Sequence, residues 1–330
     1  MSQFKVVITD FSEPDNTLEA EEFKVSGLDI ELVRLNARSP EDLYPIVAEA
    51  DALMVQWVKI TRQVMRNLTQ CKVISRYGIG VDMVDLEAAT ERGILVCNVP
   101  DFCIEEVSTH TIAFVLSLNR HILIHHAHVR SGKWGGVAGG APSRLSSQTV
   151  GIAGLGNIGR AVARKASCLG LKVLGYDPYV PTEQAHALGV ELVGLDDLLR
   201  RSDYVTLHCP LTDETRHLIG KAQLALMKPS AYLINMARGP VVDQSALYQA
   251  LTAGIIKGAA LDVLEQEPPS LDDPLLKLDN VIFTPHTASW TAESLEQLRR
   301  DTARNVVAVL QGKLPRSIVN RKGLHLAEAL

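Results

Sequence analysis

Thr149-Val-Gly-Ile-Ala153, then Gly154-Leu-Gly156-Asn157-Ile158-Gly159, then a helical run over residues 160–169 follow one another without interruption. The first segment reads as a buried strand, because it is short, apolar and β-branched. The glycines that follow have separate uses. Gly154 permits a tight turn, Gly156 lets backbone N–H groups approach a pyrophosphate at the helix N-terminus, and Gly159 allows close helix-to-strand packing. Taken alone, the glycines also suit an ordinary turn. The next strand, Val173-Leu-Gly-Tyr-Asp177, ends in a carboxylate 177 − 159 = 18 residues beyond the third glycine. An acid there accepts hydrogen bonds from an adenosine ribose. A 2′-phosphate ~4 Å from Asp177 would be repelled by roughly 1 to 4 kcal/mol, which favours NAD over NADP. The bland alternative for Asp177 is a surface turn residue ahead of Pro178.

Outward from this unit, strands are expected at residues 204–207, 231–235, 258–261 and 281–283, making six in one sheet. Upstream, residues 5–9, 30–35, 52–57 and 72–76 also read as strands, with helical patterns between several of them, including residues 40–50. Strands alternating with helices indicate parallel α/β sheets. Residues 105–130 have apolar positions at helical spacing and no internal Gly or Pro, so one long helix is expected to run from one domain into another. A Gly-rich linker, residues 132–142, separates it from the nucleotide unit. A last helix over residues 292–311 is placed to pack back on the first domain.

A length of 330 residues leaves room for two domains, each able to bury a core. Hydrophobic residues at 46% and charged residues at 22% make an ordinary folded composition. The formal charge of −5, with no run of Lys and Arg, gives no long-range pull on nucleic acid or anionic lipid, so neither is expected as a partner. Cys71, Cys97, Cys103, Cys168 and Cys209 are scattered, with no Cys-x-x-Cys pair and no zinc spacing. No metal is expected, and free thiols fit a reducing cytoplasm. No segment reaches the ~18 apolar residues of a membrane span, and the start lacks a signal-peptide pattern. A cytoplasmic location is expected.

Polar residues stand just past three of the expected strands: Asn235-Met-Ala-Arg238-Gly, Ala260-Leu-Asp262-Val-Leu-Glu-Gln-Glu267, and Thr284-Pro-His286. In an open α/β sheet such ends face the ligand crevice. Hydride transfer to a 2-oxo acid needs a cation for the carboxylate and carbonyl, and an acid for the alkoxide that forms. Arg238 and His286 have that chemistry, and Glu267 is the candidate carboxylate to keep His286 protonated. Read singly, Arg238 also suits a turn cation, His286 a core histidine and Glu267 a solvated loop acid.

From Ala52 to about Val319 the chain resembles the D-isomer-specific 2-hydroxyacid dehydrogenase family. The resemblance is carried by Arg76-Tyr-Gly-Ile-Gly-Val-Asp82-Met-Val-Asp85, Asn98-Val-Pro-Asp-Phe-Cys-Ile-Glu-Glu106, the glycine turn, Leu207-His-Cys-Pro-Leu-Thr212 and the three strand-end motifs. It implies two Rossmann-like doubly wound α/β domains with a cleft between them: residues 1–98 with 293–330 for substrate, and 99–292 for NAD. It implies Arg238 as substrate anchor, His286 as acid/base and Glu267 as its partner. It further implies that the loop Tyr77, Gly78, Ile79 and Gly80 offers amides to the substrate carboxylate, with Arg76 assisting. Asp262 would meet the nicotinamide end, while Cys209, Pro210, Met236 and Ala237 line the cofactor groove. A small 2-oxo or 2-hydroxy acid is the implied substrate, and the implied assembly is a homodimer built through residues 105–134.

Departures narrow the substrate. Phosphoglycerate dehydrogenases of this family carry an extra Arg after the third strand, where this chain reads Val55-Gln56-Trp57-Val58. Trp57 and Trp290 suit a small or apolar substrate side chain if they face the crevice, and domain-interface packing if they do not. The acid at Glu267 disfavours a formate dehydrogenase, whose histidine pairs with Gln. The alternative function is an NAD(H)-sensing, corepressor-like binding protein on the same fold.

Overall fold

The computed structural model describes residues 3–136 and 139–324. The chain opens with β1 (Phe4–Ile8), α1 (Thr17–Ser26), β2 (Ile30–Arg34), β3 (Ala52–Val55), α2 (Arg62–Asn67), β4 (Val73–Arg76), α3 (Leu86–Glu91) and β5 (Leu95–Cys97). Next come α4 (Ile104–Arg120), α5 (Ile122–Arg130), β6 (Thr149–Ala153), α6 (Asn157–Cys168), β7 (Lys172–Tyr176), α7 (Thr182–His186), β8 (Glu191–Leu192), α8 (Leu195–Arg201) and β9 (Tyr204–Leu207). Then follow α9 (Lys221–Leu224), β10 (Tyr232–Asn235), α10 (Gln244–Thr252), β11 (Gly258–Leu261), β12 (Val281–Phe283) and α11 (Ala292–Leu310). Two compact units result, one from the chain up to Phe102 together with the segment from Thr291, the other from Cys103–Trp290.

The first unit holds a five-stranded parallel sheet in the order β2-β1-β3-β4-β5. Strands β3, β4 and β5 are buried along their whole length, as parallel strands covered on both faces are, while the edge strand β2 is only partly buried. Val7, Leu53, Val55, Ile74 and Val96 meet Leu43, Val64, Met65 and Ala88 in one core. Helix α11 packs on α1, β3 and β4 of the first unit. It starts on Thr291, whose hydroxyl accepts from the Ser294 amide.

The second unit holds a seven-stranded parallel sheet, β12-β11-β10-β9-β6-β7-β8. Chain order reverses between β6 and β9, and ligands bind at such a switch point in this fold class. The short edge strand β8 makes seven strands where the sequence suggested six.

Two expected helices differ. In residues 40–50 the only helix is a 3₁₀ segment, Pro40–Leu43, followed by separate hydrogen-bonded turns, because Pro45 has no N–H for the bond to residue 41 and its ring clashes with that carbonyl. Residues 105–130 form two helices, broken at His121, a non-glycine residue with φ 52°. The His121 ring is buried with Nε2 3.3 Å from Lys257 Nζ, a tertiary contact that no local pattern signals. Helix α4 also lies wholly in the second unit rather than passing from one to the other. Of the Gly-rich linker, Val137 and Ala138 lie outside the described residues.

Candidate active site

The turn after β6 is shaped by close packing. Gly154 has φ 96°, and a Cβ there would lie 2.7 Å from the Cys209 nitrogen and 2.8 Å from the His208 carbonyl carbon. The glycine turn thus lies against the chain leaving β9, across the switch point. At Gly159 a Cβ would fall 2.0 Å from the Gly154 carbonyl oxygen, so the first turn of α6 is pressed onto the loop. Gly156 faces open space. Asn157 and Ile158 form the start of α6, whose first amides have no intrahelical acceptor. This cradle fits a dinucleotide pyrophosphate, which needs N–H donors and no side chain in its way. Asp177 is anchored there: Oδ2 accepts from the Leu155 amide at 2.9 Å and Oδ1 from the Tyr179 amide at 2.9 Å. A carboxylate has about four lone-pair sites, so acceptor capacity remains for ribose hydroxyls.

On the far side of the switch point, Pro210 is exposed and Cys209 is half-buried, its thiol pushed up to about 11 by burial and therefore neutral at pH 7. Met236 and Ala237 are buried in the turn after β10. Asn235 ties that turn together, its Oδ1 accepting from the Ala237 amide at 3.1 Å and its Nδ2 donating to the Arg238 carbonyl at 3.0 Å.

The three candidate catalytic side chains all belong to this second unit. A Cβ on Gly239 would sit 1.9 Å from the Leu264 carbonyl carbon, so glycine lets the Arg238 turn lie against the loop that carries Glu267. Glu267 Oε1 accepts from the Leu264 amide at 2.9 Å, and Oε2 stands 2.6 Å from His286 Nδ1. Burial alone would push the Glu267 carboxyl up. The His286 hydrogen bond and charge, the Leu264 amide and the Arg238 charge outweigh it and hold the carboxyl below its ordinary range. His286 has φ 54°, a strained conformation for a side chain with a Cβ. Asp262 holds it there. Its carbonyl accepts from the His286 amide at 2.8 Å, and its carboxylate takes the Thr284 hydroxyl at 2.6 Å and the Thr287 and Ala288 amides at 2.9 and 3.2 Å. The resemblance places Asp262 at the nicotinamide end; here its carboxylate is taken up by the histidine loop. The order of residues carried no sign of this role.

In the first unit, the loop after β4 is folded against its own anchors. Arg76 is buried, with its guanidinium 5.5 Å from the Trp57 ring centre and pressed on Gly78, where φ is 142° and a Cβ would lie 1.2 Å from Nη1. The Gly78 carbonyl accepts from the Val99 amide at 3.0 Å, and the Ile79 carbonyl from Asn98 Nδ2 at 2.6 Å. In a trans peptide the N–H opposes the C=O, so the Ile79 and Gly80 amides point away from Asn98 and Val99. Adjacent amides aimed the same way suit a carboxylate. Asp10 braces the neighbouring turn, accepting from the Gln56, Trp57 and Val58 amides at 3.0, 2.5 and 2.7 Å. Sequence reasoning passed over Asp10. Its signal is an acid directly after an apolar strand.

Residues 112–288 match the D-isomer specific 2-hydroxyacid dehydrogenase NAD binding domain. The chain belongs to that family. A glyoxylate reductase of Korarchaeum cryptofilum is 41% identical over 84% of this chain and 84% of its own length. A D-3-phosphoglycerate dehydrogenase of Methanocaldococcus jannaschii is 44% identical over 85% of this chain. This chain spans only about half of that relative, 53% of its length. Among solved structures of the family, the D-lactate dehydrogenase of Aquifex aeolicus complexed with NAD and lactic acid is 32% identical, with a TM-score of 0.86 over 96% of this chain and 99% of that one. Among the described residues, no set of three or more His, Cys, Asp or Glu is placed to hold a metal ion, and no helix is long and apolar enough to cross a membrane.

Proposed function

We propose that this protein interconverts a small 2-oxo acid and its D-2-hydroxy acid with NAD(H). The observation that carries the proposal is the 2.6 Å pair between His286 and Glu267, set past β11 and β12 of the same unit whose glycine turn fits a dinucleotide. The nicotinamide, when bound, supplies or takes the hydride at the carbon bearing the oxygen. His286 gives the proton to that oxygen as charge develops; with Nδ1 engaged by Glu267, the transfer falls to Nε2. Glu267 orients the imidazole and balances its positive charge. Arg238, with its planar fork, holds the carboxylate and polarises the carbonyl. The Ile79 and Gly80 amides, assisted by Arg76, take up carboxylate charge on the first unit.

Past β3, where phosphoglycerate dehydrogenases carry a further arginine, this chain reads Val55-Gln56-Trp57-Val58, and the Trp57 ring centre lies 5.5 Å from the Arg76 guanidinium. That arrangement favours a substrate with a small uncharged side chain. The homodimer expected through residues 105–134 is supported by α5, which buries no residue, and by exposed Ile122, Leu123, Ile124, Val129 and Trp134. A reducing cytoplasm suits the cysteines, which form no disulfide.

The test is NADH oxidation followed optically over glyoxylate, pyruvate, hydroxypyruvate, phenylpyruvate, 3-phosphohydroxypyruvate and branched 2-oxo acids. Turnover of a small uncharged member is the expected result. Preference for the phosphorylated acid would overturn the substrate class, and tight NADH binding without turnover of any member would favour the sensing alternative.

A further inference from the structure

Helix α1 carries a carboxylate that none of the roles above uses. Glu19 has 0% exposure, although α1 lies at the surface and its other acids reach solvent. Both of its oxygens are engaged. Oε1 accepts from the Tyr77 hydroxyl at 3.2 Å and from Arg299 Nε at 2.9 Å, and Oε2 from Arg299 Nη2 at 2.6 Å. Arg299 comes from α11, is 5% exposed, and also reaches the Asp15 carbonyl and carboxylate at 3.0 and 3.1 Å. Its guanidinium lies 5.7 Å from the Phe11 ring centre, and Phe11 stacks on Tyr77 at 4.1 Å and 14°.

A buried ion pair is a poor source of stability, because desolvating both charges offsets most of their attraction. What this pair does supply is a fixed acceptor for one hydroxyl. Tyr77 is thereby held at three points: its amide on the Val55 carbonyl at 2.8 Å, its ring on Phe11, and its hydroxyl on Glu19. Tyr77 directly precedes Gly78, whose peptide turns the Ile79 amide outward and leads into the peptide that presents the Gly80 amide. Hydrogen-bond energy falls steeply with donor angle, so a small rotation of that peptide weakens anion capture.

We propose that Glu19 and Arg299 are positioning residues for the Tyr77–Gly80 loop, acting through the Tyr77 hydroxyl to aim its amides at the substrate carboxylate. The inference rests on the reading of that loop as the carboxylate site. It requires that loosening Tyr77 harm substrate capture and leave proton and hydride transfer nearly intact, since His286 and the cofactor cradle are built from the other unit.

The test compares full-length wild type, Tyr77→Phe and Glu19→Gln. Tyr77→Phe removes one hydroxyl and leaves the ion pair whole, so it decides the matter even if Glu19→Gln folds poorly. Three quantities are read: kcat and KM for glyoxylate, which has no side chain to add contacts; KM for NADH; and deuterium uptake of the peptide spanning residues 77–80. Tyr77→Phe is expected to raise the glyoxylate KM about tenfold, the scale of one buried hydrogen bond. Its kcat and NADH KM are expected to stay within roughly twofold, with faster loop exchange. Glu19→Gln, which keeps an acceptor for Tyr77 but leaves the buried Arg299 charge with only the exposed Asp15 as ionic partner, is expected to show a smaller KM change and a larger loss of melting temperature. Unchanged KM and unchanged loop exchange in an active Tyr77→Phe variant overturn the inference alone. Faster exchange without a KM change shows that the loop is not the carboxylate site, and overturns both.

Discussion

At the scale of single residues, chemistry is set by what each side chain is made to face. In the proposed reaction His286 is the general acid, and Glu267 fixes its ring through Nδ1 at 2.6 Å. His286→Ala is therefore expected to lower kcat by ~10² to 10⁴, with the NADH dissociation constant unchanged in fluorescence titration. A loss under about threefold would assign the proton to another group. Asp177 is held by the Leu155 and Tyr179 amides at the end of β7. Asp177→Ala is expected to weaken NADH binding and to raise NADPH use relative to NADH, by up to the ~1 to 4 kcal/mol of repulsion that the charge supplies. Kinetics with both cofactors measure it, and an unchanged ratio removes Asp177 from the site.

At the scale of elements, the histidine loop shows how a strand end holds a strained residue. Asp262 spends its carboxylate on Thr284, Thr287 and Ala288, and its carbonyl on His286 itself. Asp262→Asn removes one of the oxygens these donors need. A misplacement of about 1 Å costs about a hundredfold, so kcat is expected to fall 10- to 100-fold while the protein stays folded. The NADH dissociation constant separates two roles for this residue: unchanged, it marks a loop anchor; raised along with the loss of kcat, it marks a cofactor contact. The elements themselves were legible to unequal degrees. Strands β6 and β9 to β12 announce themselves as apolar runs, because a parallel strand covered on both faces must be apolar. The break at His121 does not, since a left-handed residue without glycine is held by burial and by Lys257, both supplied from distant parts of the chain.

At the scale of the whole molecule, two predictions concern stability and assembly. His208 has a buried Nδ1 with no hydrogen-bond partner, and burial pushes its pKa down to about 3 from 6.5. Between those values the unfolded chain binds a proton that the folded one refuses. Stability should therefore fall as pH drops from about 6.5 towards 3, by up to about 1.4 kcal/mol per pH unit from this group. Urea unfolding of wild type and His208→Gln across that range checks the sign: the variant should show the shallower acid loss. If the proposed dimer forms through α5, wild type is expected to sediment as a dimer and Leu123→Glu, on its exposed face, as a monomer. Equal masses would remove that face from any interface.

The order of residues determined the parallel α/β architecture and the glycine turn, and it supplied the candidate Arg238, Glu267 and His286, because strand burial, backbone freedom and acid–base chemistry are local properties of residue types. It left each of those side chains with a bland alternative. Only the tertiary structure brought Glu267 against His286, tucked the Arg238 turn onto the Glu267 loop through Gly239, and gave Glu19 and Asp262 their partners. A contact between residues far apart in the chain depends on how sheets and helices pack, and spacing along one polypeptide does not encode that distance.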